Sequence, residues 1–150
     1  WVIKNPRDDR HQLAWRSIEA GIRGNRWTHL FNYFLHSPNF SPEALLFYLS
    51  SIFDHADYLM TKYSSGSNWA LMEAEGMAFI AMTFPEFKDS DLWLTEAIKR
   101  FNKEIHEQVY PDGHQRELAF GYHMGSISWF LRTYELAQMN NKADLFSEDY

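Results

Sequence analysis

The sequence predicts an all-α protein, and three observations carry that reading. Helix-forming residues are abundant, and no strand-length alternation of Val, Ile and Thr appears. Apolar residues recur at steps of three and four through most of the chain. Capping and stop signals fall between these periodic stretches. With 150 residues, 45% of them hydrophobic, the chain can bury one core, so residues 1–150 are read as a single helical domain.

The elements follow in order. A first helix is expected from Arg10 to Arg23, where Leu13, Ile18 and Ile22 lie beside Ala14 and Trp15, and its stop signal is Gly24-Asn25. A short aromatic helix from Arg26 to His36 is closed by Ser37-Pro38. Ser41-Pro42-Glu43 then combines an N-cap serine, a proline at the first helical position and an acid in the first turn. The helix it opens runs to Tyr63, with Leu45, Leu49, Ile52, Phe53 and Leu59 facing inward. The next begins at Ser67 or Asn68 and ends before Pro85. Asp89-Ser90-Asp91 caps a long helix through Leu94, Ile98, Phe101 and Ile105 to Val109, and Tyr110-Pro111-Asp112-Gly113 is a turn. The last helix aligns Ile127, Phe130, Leu131, Tyr134 and Ala137 and stops near Asn140-Asn141. Long helices joined by loops, without heptads or a fixed repeat, read as antiparallel hairpins packed side by side. A bundle, a solenoid and an arc of a toroid all satisfy that pattern.

Composition narrows the chemistry. The net charge of −6 argues against a nucleic-acid partner, although Trp1 to Leu30 holds Lys4, Arg7, Arg10, Arg16, Arg23 and Arg26 against only Asp8, Asp9 and Glu19. Aromatic residues reach 17%, which suits either a tryptophan-rich core or a surface that stacks on sugar rings. The absence of cysteine excludes disulfides, zinc–thiolate sites and a cysteine nucleophile. No stretch is long and apolar enough to span a membrane, and no signal peptide is visible. The chain begins on Trp1 rather than Met, as a piece of a longer precursor would.

Motifs for cofactors are missing as well. There is no Glu-x-x-His or His-Glu-x-x-His pair, no Gly-x-Ser-x-Gly elbow and no phosphate-cradling glycine loop. Asp54-His55-Ala56-Asp57 has metal-ligand residue types, but their spacing does not place all of them on one helix face. No metal or cofactor is therefore expected.

Two polar clusters remain, each beside a turn. In "SGSNWALMEAEG", Asn68 stands at a helix start with Trp69 next to it, and Asn68, Met72 and Glu75 share one face. Asparagine is a good N-cap, and a side-chain amide beside free backbone N–H groups is also a site for a carboxylate. In "PDGHQRELAFGYHMG", His114, Gln115, Arg116, Glu117, Tyr122 and His123 crowd one turn and the following helix start. A tyrosine serves as general acid or base where nearby cations or donors support its phenolate. It serves equally as a half-buried packing residue.

Taken together, "RDDRHQLAWRSIEAGIRGNRW", "FNYFLHSPNFSPE", "DHADYL", "SNWALMEAEGMAFIAMTFPEFK" and "QVYPDGHQRELAFGYHMG" resemble, in that order, the N-terminal helical domain of the heparinase II/III polysaccharide lyases. The resemblance covers nearly the whole chain and is nearest to the heparan-sulfate-cleaving branch. It implies an incomplete (α/α) toroid followed by a β-sandwich, β-elimination on an acidic uronate polysaccharide, and a periplasmic or secreted location. Asn68 matches the asparagine that neutralises the uronate carboxylate, and Tyr122 the tyrosine that serves as base, acid or both. Glu117 matches a cleft-wall glutamate that holds sugar hydroxyls, and His123 accompanies the tyrosine. Trp69 is read as a stacking platform or a core residue, and Arg16 and Arg23 as cations that help hold the acidic polymer.

Two departures stand out. The family pattern Glu-Leu-Ser-Pro-x-Tyr-His is here Glu117-Leu118-Ala119-Phe120-Gly121-Tyr122-His123, which loosens the approach to Tyr122. The chain also ends at Tyr150, ahead of the family regions that supply a further catalytic histidine, so it is expected to be inactive alone and to self-associate through uncovered hairpin faces. Two other functions use the same residues: a toroid glycoside hydrolase with Glu75 and Glu117 as its carboxylates, and a non-catalytic carbohydrate-binding scaffold.

Overall fold

The computed structural model describes residues 1–150 and is all-helical. Five α-helices, α1 (Ser17–Phe34), α2 (Pro42–Met60), α3 (Asn68–Thr83), α4 (Ser90–Gln108) and α5 (Phe120–Met139), are accompanied by short 3-10 turns at Val2–Lys4, Asp9–His11 and Ala143–Leu145. The one β-type feature is an isolated antiparallel bridge between Val109 and Gln115, which closes the turn before α5.

Helix α3 is the axis of the fold and packs against α1, α2, α4 and α5. Every residue from Ala70 to Met82 is buried. A helix buried around its whole circumference has to be enclosed by others, and the alanines at 70, 74, 78 and 81 let them approach. Leu71, Met77 and Ile80 meet Ile52 and Leu59 of α2 and Trp93, Leu94 and Phe101 of α4 in one core.

The start of the chain departs from the sequence reading. Gly24-Asn25 does not end a helix; α1 runs unbroken from Ser17 to Phe34, and Arg10 to Trp15 lies mostly in tight turns before it. Gly24 is there for a close helix crossing, because a Cβ on it would lie 2.7 Å from the Gly76 carbonyl oxygen of α3. Asn25, read as part of a stop signal, is buried in α1 together with Thr28, whose hydroxyl donates to the Asn25 carbonyl at 2.6 Å.

Helix α2 starts as expected, with the Ser41 hydroxyl accepting from the Ala44 N–H at 3.3 Å and proline at the first position. It ends at Met60, where the buried Arg100 of α4 reaches the carbonyls of Leu59 (3.0 Å), Met60 (3.1 Å) and Lys62 (2.7 Å). A cation on the orphan carbonyls of a helix C-terminus satisfies both their hydrogen bonding and the helix dipole. That contact ties down the segment leading to Asn68. In α5 the buried face is Ser126, Phe130, Thr133 and Ala137, whereas Ile127 and Leu131 point outward. The apolar residues of α5 spread around the helix, so its sequence alone does not single out the inner face.

Candidate functional site

Asn68 is not an N-cap. Ser67 holds that position, without a side-chain cap bond, and Asn68 is the first helical residue of α3. Its amide is therefore free to point at another element. Asn68 Nδ2 donates to Glu117 Oε2 at 3.2 Å, and the Asn68 backbone N–H donates to Glu117 Oε1 at 3.3 Å. Asn68 and Glu117, separated by 49 positions, thus meet at the N-terminus of α3, where orphan N–H groups and the helix dipole favour an anion.

Glu117 reaches this position because the turn after α4 is held from behind. The Glu117 N–H donates to Gln115 Oε1 at 2.8 Å, and Gln115 Nε2 donates to Gln108 Oε1 at 3.3 Å. Gln108 Nε2 donates in turn to Glu104 Oε2 at 2.6 Å and to the Ser67 carbonyl at 2.9 Å. Glu104 also accepts from the Tyr63 hydroxyl (2.6 Å), the Ser65 hydroxyl (3.1 Å) and the Gly66 N–H (3.0 Å). Glu104, Gln108 and Gln115 are essentially inaccessible to solvent. Beside them, buried Glu73 accepts from the Ser64 N–H (2.8 Å) and hydroxyl (2.7 Å), fixing the loop into α3.

Tyr122 lies in the first turn of α5, half exposed, and its hydroxyl has no hydrogen-bond partner within the chain. His123 beside it is oriented. Its Nδ1 accepts from the Gln115 N–H at 3.3 Å, which assigns the proton to Nε2, and its ring stacks on His114 at 4.5 Å between centroids. Leu118, between Glu117 and α5, has φ of +56°, a left-handed conformation that costs a bulky residue about 1–3 kcal/mol.

The other candidates fall into separate surroundings. Trp69 is 38% exposed, with the Arg16 guanidinium over its ring at 5.9 Å. Arg16 is also paired with Glu19 and lines a groove of about 580 Å³ that carries the cations Arg7 and Lys62 and the carboxylates Asp8 and Asp9, beside Trp15 and Tyr58. Arg16 and Trp69 together link this groove to the start of α3.

Arg23 is not brought to the Asn68–Glu117 pair. Its guanidinium lies 4.2 Å from the Trp1 ring centroid and within 6 Å of Trp15 and Trp27, and its Nε donates to His55 Nε2 at 2.7 Å. Burial draws the Arg23 guanidinium down to about 10. It likewise draws His55 down to about 4, assisted by repulsion from Arg23 and Arg7 and opposed by the bond to Ser51. His55 is thus a neutral core histidine whose Nδ1 donates to the Ser51 carbonyl at 2.6 Å.

Glu75 shares the buried side of α3 with Asn68 but has a different partner. Arg132 of α5 donates to Glu75 Oε1 from Nε (2.9 Å) and Nη2 (2.8 Å). Burial pushes the Glu75 carboxyl up to about 7, against the pull of Arg132 and Arg26. Seven residues place it about 10 Å along the helix from Asn68, so the structure does not gather Glu75 and Glu117 into a carboxylate pair.

Sequence reasoning passed over Glu73, Glu104 and Gln108, and named Gln115 only as one member of the polar turn before α5. A signal existed for two of them: Glu104 and Gln108 continue the buried stripe Trp93, Ala97 and Phe101 of α4. Polar residues on a core stripe demand buried partners.

Comparison with known proteins gives the family of the chain. The chain belongs to the heparinase II/III family: the family model described as the heparinase II/III N-terminus matches residues 1–150. The heparin-sulfate lyase of Pedobacter heparinus is 39% identical over 153 aligned residues, which cover the whole chain and 23% of that protein. The heparin-sulfate lyase of Bacteroides stercoris is 36% identical, across 93% of the chain and 21% of its own length. Among solved structures, heparan sulfate lyase HepC of Pedobacter heparinus superposes over the full chain with a TM-score of 0.85 at 38% identity, and this chain covers 24% of it. A heparinase III crystal structure matches with a TM-score of 0.93 at 28% identity, over 99% of this chain and 23% of that one. The chain thus spans less than a quarter of the length of these relatives.

Proposed function

We propose that the full-length protein is a polysaccharide lyase that cleaves a uronate-containing glycosaminoglycan, heparan sulfate or heparin, by β-elimination. The observation that carries this reading is the carboxylate already seated on Asn68. A side-chain amide and a helix N-terminal N–H together hold the two oxygens of Glu117, the arrangement a uronate carboxylate requires. The relatives named as heparin-sulfate lyases support the substrate class.

In this reading the substrate carboxylate takes the place of the Glu117 carboxylate. Bonds of 3.2–3.3 Å on an exposed side chain make Glu117 easy to displace, and its oxygens then accept from sugar hydroxyls. Donors fixed on the carboxylate stabilise negative charge as it develops during loss of the C5 proton. Tyr122 takes that proton on its phenolic oxygen. The C5–H electron pair forms the C4–C5 double bond while the C4–O bond breaks, and the departing glycosidic oxygen takes a proton from the phenol. His123 supports Tyr122, Trp69 offers a ring face to a sugar, and Arg16 with Lys62 gives the adjoining groove cations for an acidic chain. The five helices form an arc of an incomplete (α/α) toroid in the complete protein, and no cofactor takes part.

Product analysis tests this reaction. Heparan sulfate digested by the full-length protein should yield fragments with an unsaturated uronate, absorbing in the ultraviolet, and Tyr122→Phe should abolish them. Saturated ends on both fragments would establish hydrolysis instead. Binding without turnover would establish a carbohydrate-binding scaffold.

A further inference from the structure

The buried chain Glu104–Gln108–Gln115 is costlier than an apolar contact of the same shape, since each polar group in it had to be desolvated. Its connectivity has one direction. Glu104 accepts from Gln108 Nε2, and the Ser67 carbonyl accepts from the same nitrogen, so Gln108 Oε1 faces Gln115. Gln115 Nε2 answers it, leaving Gln115 Oε1 for the Glu117 N–H. Both amide orientations are thereby dictated by one buried carboxylate.

Gln115 is the hub of this chain. Its side chain fixes the backbone of Glu117, whose carboxylate sits on Asn68, and its own N–H is the donor that orients His123 beside Tyr122. Its carbonyl accepts from His114 Nδ1 at 2.9 Å and from the Leu118 N–H at 3.1 Å, bracing the strained Leu118 backbone. At the far end, Gln108 holds the carbonyl of Ser67, the residue immediately before Asn68.

We propose that Gln115, with Gln108 and Glu104 behind it, is the positioning residue that holds the Asn68 anion seat and the Tyr122–His123 limb at their working separation. The inference rests on the lyase reading of Asn68 and Tyr122. The chain joins the N-terminus of α3 to the start of α5 across an otherwise solvent-facing turn. Its polarity is explained by the precision of two amide dipoles, which an apolar plug cannot supply. Displacing a reacting group by about 1 Å can cost on the order of a hundredfold in rate.

The test uses the full-length protein on heparan sulfate, with melting midpoints recorded so that every assay is run on folded enzyme. Gln115→Met, matched in size but without donor or acceptor, should lower kcat about tenfold or more. Gln115→Glu keeps the shape, and when protonated carries both a donor and an acceptor. Its kcat relative to the unsubstituted enzyme should be highest at low pH and fall as the introduced carboxyl ionises against Gln108 Oε1. An unchanged kcat for folded Gln115→Met, or a pH-independent ratio for Gln115→Glu, would overturn the proposal. If neither variant folds, hydrogen exchange on the unsubstituted protein decides: a protected Glu117 amide supports the relay, and a freely exchanging one refutes it. Full activity in Asn68→Ala would refute the lyase reading itself. An inactive Asn68→Ala beside a fully active Gln115→Met would refute the relay alone.

Discussion

At the scale of single residues, a neutral histidine has a consequence that the fold feels. His55 sits under Trp15 and Trp27, with ring centroids at 4.4 and 5.1 Å, and accepts from Arg23, so it can take up a proton only at the expense of that bond. Its folded pKa of about 4 lies below the ordinary 6.5, so the unfolded chain binds the proton first as the pH falls. The stability it contributes is complete above pH 6.5 and is lost as the pH drops through 4, on the order of 3 kcal/mol in all. Thermal melts across this range should show a falling midpoint, with a flatter slope in His55→Gln, which retains an acceptor for Arg23 but does not titrate. Identical slopes would mean that His55 is not the group responsible. The adjacent Asp54 and Asp57 make this stretch resemble a ligand set in the sequence, whereas the structure uses His55 as a partner for Arg23.

At the scale of elements, the fold was legible wherever one residue type had one job. The caps at Ser41-Pro42, the turn at Tyr110–Gly113, where Gly113 has φ of +86°, and the long periodic helices α2 and α4 were all readable. Reading failed where a residue serves a distant partner. Gly24 is a stop signal locally, yet it lies inside α1 because Gly76 of α3 crosses there, and Asn68 is a good cap in isolation but turns to Glu117. The buried Glu104–Gln108–Gln115 chain was invisible for the same reason, since its logic needs α4, the following turn and the α3 N-terminus together. The α1–α3 crossing yields its own prediction. A methyl at Gly76 would collide with the Gly21 backbone of α1, so Gly76→Ala should cost about 1–3 kcal/mol or more as the two helices are forced apart. Chemical denaturation would register it, and wild-type stability would show that the crossing is not close.

At the scale of the whole molecule, the outer face of α5 carries Phe120, Met124, Ile127, Leu131 and Met139, exposed and apolar. A run of this kind marks a surface suited to a further packing partner. The 150-residue chain produced alone should therefore associate with itself, at a level that rises with concentration in light scattering, and should release no unsaturated uronate. A monodisperse monomer would show that this face needs no cover. The family and the helical architecture were legible across the full length, because the order of short motifs survives even where Ala119-Phe120 replaces a Ser-Pro pair. Of the candidate residues, the motif order set Asn68 with both Glu117 and Tyr122; the structure joins Asn68 to Glu117 by two hydrogen bonds and makes no such bond from either to Tyr122.

That occupied seat is the centre of the account, and Asn68 is its most direct test. Asn68→Ala in the full-length protein, assayed on heparan sulfate by the ultraviolet absorbance of the unsaturated product, should lose about 10²–10³-fold or more in kcat. Its melting midpoint should fall only slightly, because the side chain makes a single long bond, to the exposed Glu117. Turnover at the original rate by a folded Asn68→Ala would contradict the assignment of α3's N-terminus as the site that receives the substrate carboxylate.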